Sequence, residues 1–250
     1  MSALTFSVIA LACILVGTLV GMLLRTGVSG KHLDSDAKDV VRLGAGLIGT
    51  IAALVLGLLI ASAKTSFDTQ VTQVKQLTAD VILLDQLLTH YGPEAASVRN
   101  LLRGAVNAIA DRIWQENSSV STRKMPYEVT AAGESFIVML RQLAPQTDEQ
   151  RSIKDRAIQV SDSIAHTRWL LFTQSDPIPM PFLIVLIFWL SIIFANLSLF
   201  ADPQPIVVGA LFVFALSAAA AIFLVLELGQ PFSGIMQISD VPVRSALAPQ

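Results

Sequence analysis

Four stretches of the chain are apolar over a length that can cross a lipid bilayer, which needs about 20 residues in a helix. They cover residues 4–24, 43–63, 182–200 and 206–226. The first stretch has no basic residues before it, and its apolar run is longer than the roughly 7–15 residues of a signal-peptide core. We therefore interpret it as a retained span. The pattern predicts two membrane hairpins.

The residues between the hairpins follow a different pattern. Apolar side chains recur every three or four positions from Phe67 to Leu88, which is typical of a helix with one buried face. The stretch LGLLIASAKTSFD joins the second span to this helix without a turn signal. The sequence therefore predicts that the second span continues beyond Lys64 as a helix of a water-exposed domain.

Glycine and proline residues in the soluble segment also indicate where helices end and begin. In YGPEA, Gly92 suits the end of one helix and Pro93 the start of the next. No strand pattern is present, so the predicted fold class is an all-α membrane protein, with four transmembrane helices in two hairpins flanking a helical soluble domain. The predicted boundaries are residues 1–63 for the first hairpin, 64–180 for the helical domain, 181–228 for the second hairpin and 229–250 for the tail.

Composition supports a membrane protein and excludes several other classes. Of the 250 residues, 53% are hydrophobic and 14% are charged, whereas soluble proteins have about 25% charged residues. The net charge of −2 gives no reason to expect a nucleic-acid partner. The single cysteine, Cys13, excludes an internal disulfide framework and is expected to be a buried small hydrophobe.

The sequence contains none of the common catalytic or nucleotide-binding motifs. His32, His90 and His166 are far apart, and none has a second metal-type ligand three or four residues away. We therefore expect no enzymatic activity, no catalytic residues, no metal site and no cofactor.

The second span carries the candidate functional residues. Gly44, Gly46, Gly49 and Gly57 allow close helix packing, but they also suit a helix that crowds around a symmetry axis and lines a pore. One possible pore face would have hydrophobic rings above a basic ring, and such rings can gate by dewetting and favour anions. Its residues are Gly49, Ala53, Leu56, Ile60, Lys64 and Phe67. The opposite face, with Ile51, Val55, Leu58 and Ser62, fits nearly as well.

Two charged residues, Lys64 and Glu227, lie near the ends of predicted spans. Glu227 follows about twenty apolar residues, and an ionisable group at membrane depth is costly without a partner. In a four-span arrangement the ends of spans two and four lie on the same side, so Lys64 can pair with Glu227. Two independent interfacial charges are the alternative. We assign Gly17 and Gly21 to helix packing, and Asn196 to hydrogen bonding between helices.

Four segments resemble the bacterial bestrophin-like membrane proteins of unknown function. They are LGLLIASAKTSFD, LDQLLTHYGPEA, PMPFLIVLIFWLSIIFANLSLF and FLVLELGQPFSGIMQIS, and the resemblance covers nearly all of the chain from about residue 43 to residue 247. The layout is also similar to that of bestrophins, which are pentameric ion channels whose second span lines the pore.

This resemblance implies an oligomeric channel in the bacterial inner membrane, with the helical domain and both termini in the cytoplasm. It implies a homo-oligomer, taken as a pentamer, with the lipid bilayer and inorganic ions as partners, and Leu56 and Ile60 as neck candidates. Calcium gating is not expected, because Asp240 is the one acidic residue after Glu227. The competing hypothesis is a non-conducting scaffold or sensor that recruits partners through its helical domain.

Overall fold

A computed structural model describes residues 3–27, 35–115, 131–173, 180–201 and 204–246. Regular structure in these ranges is helical, which confirms the predicted fold class. The helices are α1 (Ala3–Gly27), α2 (Ser35–Tyr91), α3 (Ala96–Gln115), α4 (Ala131–Gln142), α5 (Asp148–Thr173), α6 (Met180–Phe200), α7 (Pro205–Leu228) and α8 (Val241–Ser245), with a 3-10 turn at Pro93–Ala95.

The chain forms two compact units, which are described separately. The membrane unit comprises Met1–Ser66 and Pro177–Gly229, and the helical unit comprises Phe67–Asp176 and Gln230–Gln250. Helix α2 contributes to both. The four predicted spans are found in α1, α2, α6 and α7, whose most apolar 18-residue windows have mean hydropathies of 2.4 to 2.6.

Helices α1 and α6 approach closely because two glycines face the α6 backbone. A Cβ atom built on Gly17 would lie 2.5 Å from the carbonyl oxygen of Ser191, and one on Gly21 would clash with the carbonyl oxygen of Ala195. The Ser198 hydroxyl donates a hydrogen bond of 2.8 Å to the Thr18 carbonyl across the same contact. The assignment of this glycine pair to packing is confirmed.

A side-chain hydrogen bond between α1 and α6 comes from Ser198, whose short side chain reaches the α1 backbone. The interhelix role expected for Asn196 stays a prediction. The expectation that Cys13 is buried is wrong. Cys13 is exposed on α1, because α1 buries a different side, at Ile14.

The core of the helical unit is built on the stripe that the sequence predicted. Val74, Leu77, Val81, Leu84 and Leu88 are each at most 3% exposed. The turn after α2 also follows the prediction: Gly92 has a φ of 122°, a value that favours glycine. After it, Pro93 starts the 3-10 turn that leads into α3.

Polar contacts fix the partners of α2 within this unit. The Arg99 guanidinium on α3 donates two hydrogen bonds, of 2.8 and 2.9 Å, to the Asp85 carboxylate, and these bonds raise the pKa of Arg99. On the α5 side, Asp80 is buried and accepts hydrogen bonds from Gln76 (2.9 Å) and Ser163 (2.8 Å).

Residues 230–246, named here the C-terminal strap, pack against α3. The Trp114 indole donates a hydrogen bond of 2.6 Å to the Ile238 carbonyl, and its ring meets Phe232 edge to face at 5.6 Å. Val243 is buried, at 1% exposure. The strap therefore belongs to the core of the helical unit, although it has little regular structure.

Replacing Gly21 by Leu should destabilise the protein by about 1–3 kcal/mol or more, because the α6 backbone leaves no room for a side chain. Thermal unfolding in detergent measures the loss. Gly209→Leu is the matched control, since Gly209 lies in α7 with nothing within 4 Å of its Cβ position. Equal effects of both substitutions would contradict the packing assignment.

Trp114→Phe should loosen the strap while the aromatic contact with Phe232 stays possible. The lost hydrogen bond to Ile238 is worth about 0.5–1.5 kcal/mol. Hydrogen exchange should become faster in the strap amides and remain unchanged in α6. Unchanged exchange in the strap would show that this bond does not hold it.

Candidate functional site

Helix α2 runs without interruption for 57 residues, which corresponds to about 85 Å. It begins at Ser35. At the change from apolar to polar sequence, the Thr65 hydroxyl donates to the Ala61 carbonyl of its own helix (2.9 Å). The polar residues there are thus accommodated without a break.

The membrane part of α2 is the least buried of the four spans within the described chain. In its most apolar 18-residue window 6% of the residues are buried, against 22–28% for the other three helices. Between residues 43 and 63, the buried side chains are Ala52, Leu59 and Ala63. One narrow side of α2 therefore packs within the described chain, and most of its circumference is open.

The glycines of α2 differ from those of α1. A Cβ atom on Gly44, Gly46 or Gly57 would have nothing within 4 Å among the described residues, and one on Gly49 would just reach the Ile193 Cδ1 atom at 4.0 Å. Close packing within the described chain therefore does not account for three of these four glycines. Packing between copies and a pore lining both remain compatible with them.

The first sequence-predicted pore face lies partly beside the buried side of α2. Ala53 and Lys64 are exposed, whereas Gly49, Leu56, Ile60 and Phe67 are half-buried. On the alternative face, Ile51, Leu58 and Ser62 are exposed and Val55 is half-buried. Both candidate faces lie on α2, and the assignment of either face to a pore stays a prediction.

The two charges singled out in the sequence lie in the same unit but in different environments. Glu227, in the last turn of α7, is 3% exposed, and Lys64 is exposed. Their pairing stays a prediction. At the end of α6, the Arg25 guanidinium donates a hydrogen bond to the Ala201 carbonyl, where a cation is favourable for the helix dipole.

Asp240, the acidic residue after the last span, forms an ion pair with Arg244. Arg244 donates from Nη2 to Asp111 (2.7 Å) and from Nε to Asp240 (2.6 Å), and these bonds raise the pKa of the guanidinium. Among the described residues no group of three His, Cys, Asp or Glu side chains could hold a metal ion. Calcium, which takes six to eight oxygen ligands, finds no carboxylate cluster in this part of the chain.

Both histidines in the described ranges are exposed on helices. His90 is exposed and contacts the Gln86 carbonyl of its own helix at 2.8 Å, and His166 is exposed on α5. His32 lies outside the described residues.

Sequence reasoning missed two features. It placed Leu54, which is 74% exposed, on neither candidate face, although its spacing of seven residues from Leu47 and from Ala61 marks a third face of α2. It also gave no role to Trp114, because the partner of this residue is 124 positions away and leaves no local signal.

Comparison with known proteins agrees with this architecture. The family model of the bestrophin-like domain matches residues 12–243. A tryptophan-to-alanine variant of a bacterial bestrophin homologue from Klebsiella pneumoniae has a similar structure, with a TM-score of 0.67, 14% identity, and coverage of 99% of this chain and 94% of that one. A leucine-to-threonine variant of a bacterial bestrophin homologue from the same organism also has a TM-score of 0.67, with 12% identity and coverage of 95% and 96%.

No curated protein matches the sequence. The identities to the solved structures are low, so these likenesses concern the fold. The match of the family model extends over most of the chain, and the four spans and the helical unit lie in the order that the resemblance implied. The chain therefore belongs to the bestrophin-like family.

Proposed function

We propose that this protein is an oligomeric ion channel in which copies of α2 surround the ion path. The observation that carries the proposal is the low burial of the α2 span. In its most apolar 18-residue window 6% of the residues are buried, whereas the value is 22–28% for the other spans. Bestrophins are known as ion channels, which supports the same function here.

The open circumference of α2 is what a pore-lining helix requires. A helix at a symmetry axis contacts its own subunit on one side, neighbouring copies on its flanks and the path on the remaining side. The exposed leucines supply an apolar neck, and hydrophobic constrictions can gate by dewetting. Lys64 is exposed at the end of this neck and, repeated around an axis, would form a basic ring that favours anions.

We take the oligomer to be a pentamer in the bacterial inner membrane, with the helical unit and both termini in the cytoplasm. The match to the bestrophin-like family supports this layout. Basic residues near the span ends are nearly equal in number on the two sides, so the positive-inside rule does not favour either orientation.

A non-conducting scaffold or sensor is the second candidate. It is favoured by apolar side chains that the helical unit exposes, namely Ile82 (40%), Val138 (53%) and Met139 (38%). Exposed apolar residues can mark a docking surface for a partner protein.

Purified protein in liposomes should conduct ions, with anions passing faster than cations if Lys64 forms a ring. The measurement is tracer flux or single-channel current, combined with the mass of the oligomer. Arg151→Gln is the control for unspecific effects, because Arg151 and its partner Asp148 are highly exposed on α5. A monomer without flux under any ionic condition would leave the scaffold as the better hypothesis.

We also propose that Lys64 pairs with Glu227, because Glu227 is buried and an ionised group there needs a partner. In a double-mutant cycle with Lys64→Met and Glu227→Gln, a direct pair should show a coupling of about 1 kcal/mol or more. Unfolding in detergent measures the four stabilities. Additive effects, within about 0.5 kcal/mol, would indicate two independent interfacial charges.

A further inference from the structure

We infer that residues 231–238 of the C-terminal strap, named here the strap loop, insert their apolar tip into the lipid–water interface next to the last span. Ile235 and Met236 form this tip. The inference adds a lipid contact outside the four spans, and it holds whether or not the protein conducts ions.

Backbone hydrogen bonds define the shape of the strap loop. The Ile238 N–H donates to the Pro231 carbonyl at 2.7 Å and closes the loop at its base. The Ser233 N–H donates to the Gln230 carbonyl at 3.1 Å. Gly234 has a φ of 96°, a value that favours glycine, and turns the chain just before the tip. The tip is therefore part of a hydrogen-bonded turn.

The two ends of the strap loop are held in the helical unit, whereas its tip is exposed. Phe232 is buried against the Trp114 ring, and the Ile238 carbonyl accepts the hydrogen bond of the Trp114 indole. Between these two contacts, the exposed fractions are 78% for Ile235 and 44% for Met236. The fold thus holds two large apolar side chains outward, and their transfer from water to an apolar medium is favourable.

Lipid is the apolar medium that the chain itself brings near. Helix α7 is a candidate membrane span and ends at Leu228, which comes seven residues before Ile235. Seven residues reach at most about 25 Å when fully extended. The tip of every copy is therefore within reach of the bilayer surface, and no second protein is required to cover it.

The composition of the strap loop suits the headgroup region of a bilayer. The stretch from Leu228 to Ser239 contains no charged residue, and the next charged residue, Asp240, is bonded to Arg244 at 2.6 Å. An ionised side chain at the tip would resist insertion because it is costly to remove from water. The polar residues of this stretch are glutamine and serine, which carry no such charge.

Fluorescence quenching from the lipid and from the water tests the inference. In a Cys13→Ala background, Met236→Cys carries an environment-sensitive fluorophore, and the full chain is placed in phosphatidylcholine liposomes. Nitroxide-labelled lipids should quench this label severalfold more than aqueous iodide does. Val138→Cys is the matched control, because Val138 is an apolar residue of α4 that is 53% exposed. Its label should show the opposite preference.

A charge at the tip tests whether the protein side chains, and not the label, cause the contact. Ile235→Asp should lower lipid quenching at Met236→Cys severalfold and raise iodide quenching, because a carboxylate resists leaving water. Ile235→Leu keeps the tip apolar and should leave both unchanged. Neither substitution should change thermal unfolding in detergent, since the Ile235 side chain lies outside the core.

Three results would overturn the inference. Iodide quenching at Met236→Cys as strong as at Val138→Cys would place the tip in water. Protection from both quenchers would indicate that protein covers the tip, as a neighbouring copy could. Lipid quenching that Ile235→Asp leaves unchanged would assign the contact to the label. None of these measurements uses ion flux, so a protein that does not conduct would contradict the proposed channel alone.

Discussion

The structure depends on one constraint: the backbone of α2 satisfies its own hydrogen bonds from the bilayer into water. A segment in lipid must pair every N–H and C=O group internally, so a helix that ended inside or at the edge of the membrane would need other partners for its last carbonyls. Helix α2 avoids this by ending at Tyr91, well beyond the apolar residues. The same helix therefore contributes to the membrane unit and to the core of the helical unit.

The two sets of glycines show how similar residues serve different contacts. Gly17 and Gly21 let α1 lie against the α6 backbone within one chain, where an added Cβ would collide. Gly46 and Gly57 have open space around them in the described chain. Because the hydrophobic effect does not drive helices together inside lipid, close packing is a main source of association there. The α2 glycines are consistent with contacts between copies.

Short ion pairs join several charged side chains of the helical unit. Arg99 is bonded to Asp85, and Arg244 joins Asp111 to Asp240. The contacts of Arg244 join the C-terminal strap to α3, where Trp114 adds a hydrogen bond and an aromatic contact.

Local patterns determined the helices of this protein. Four apolar runs, the stripe from Phe67 to Leu88 and the turn at Gly92 are visible in the sequence because helix periodicity, bilayer thickness and glycine conformation act over a few residues. The motifs in order also indicated the family.

Tertiary structure decided which side of each helix is used. Periodicity alone left two faces of α2 nearly equal, and the burial of Ala52, Leu59 and Ala63 then showed which side packs within the chain and exposed Leu54 opposite to it. The hydrogen bond of Ser198 and the contacts of Trp114 likewise join residues 180 and 124 positions apart. Such contacts depend on how distant segments meet, and no local sequence pattern encodes them.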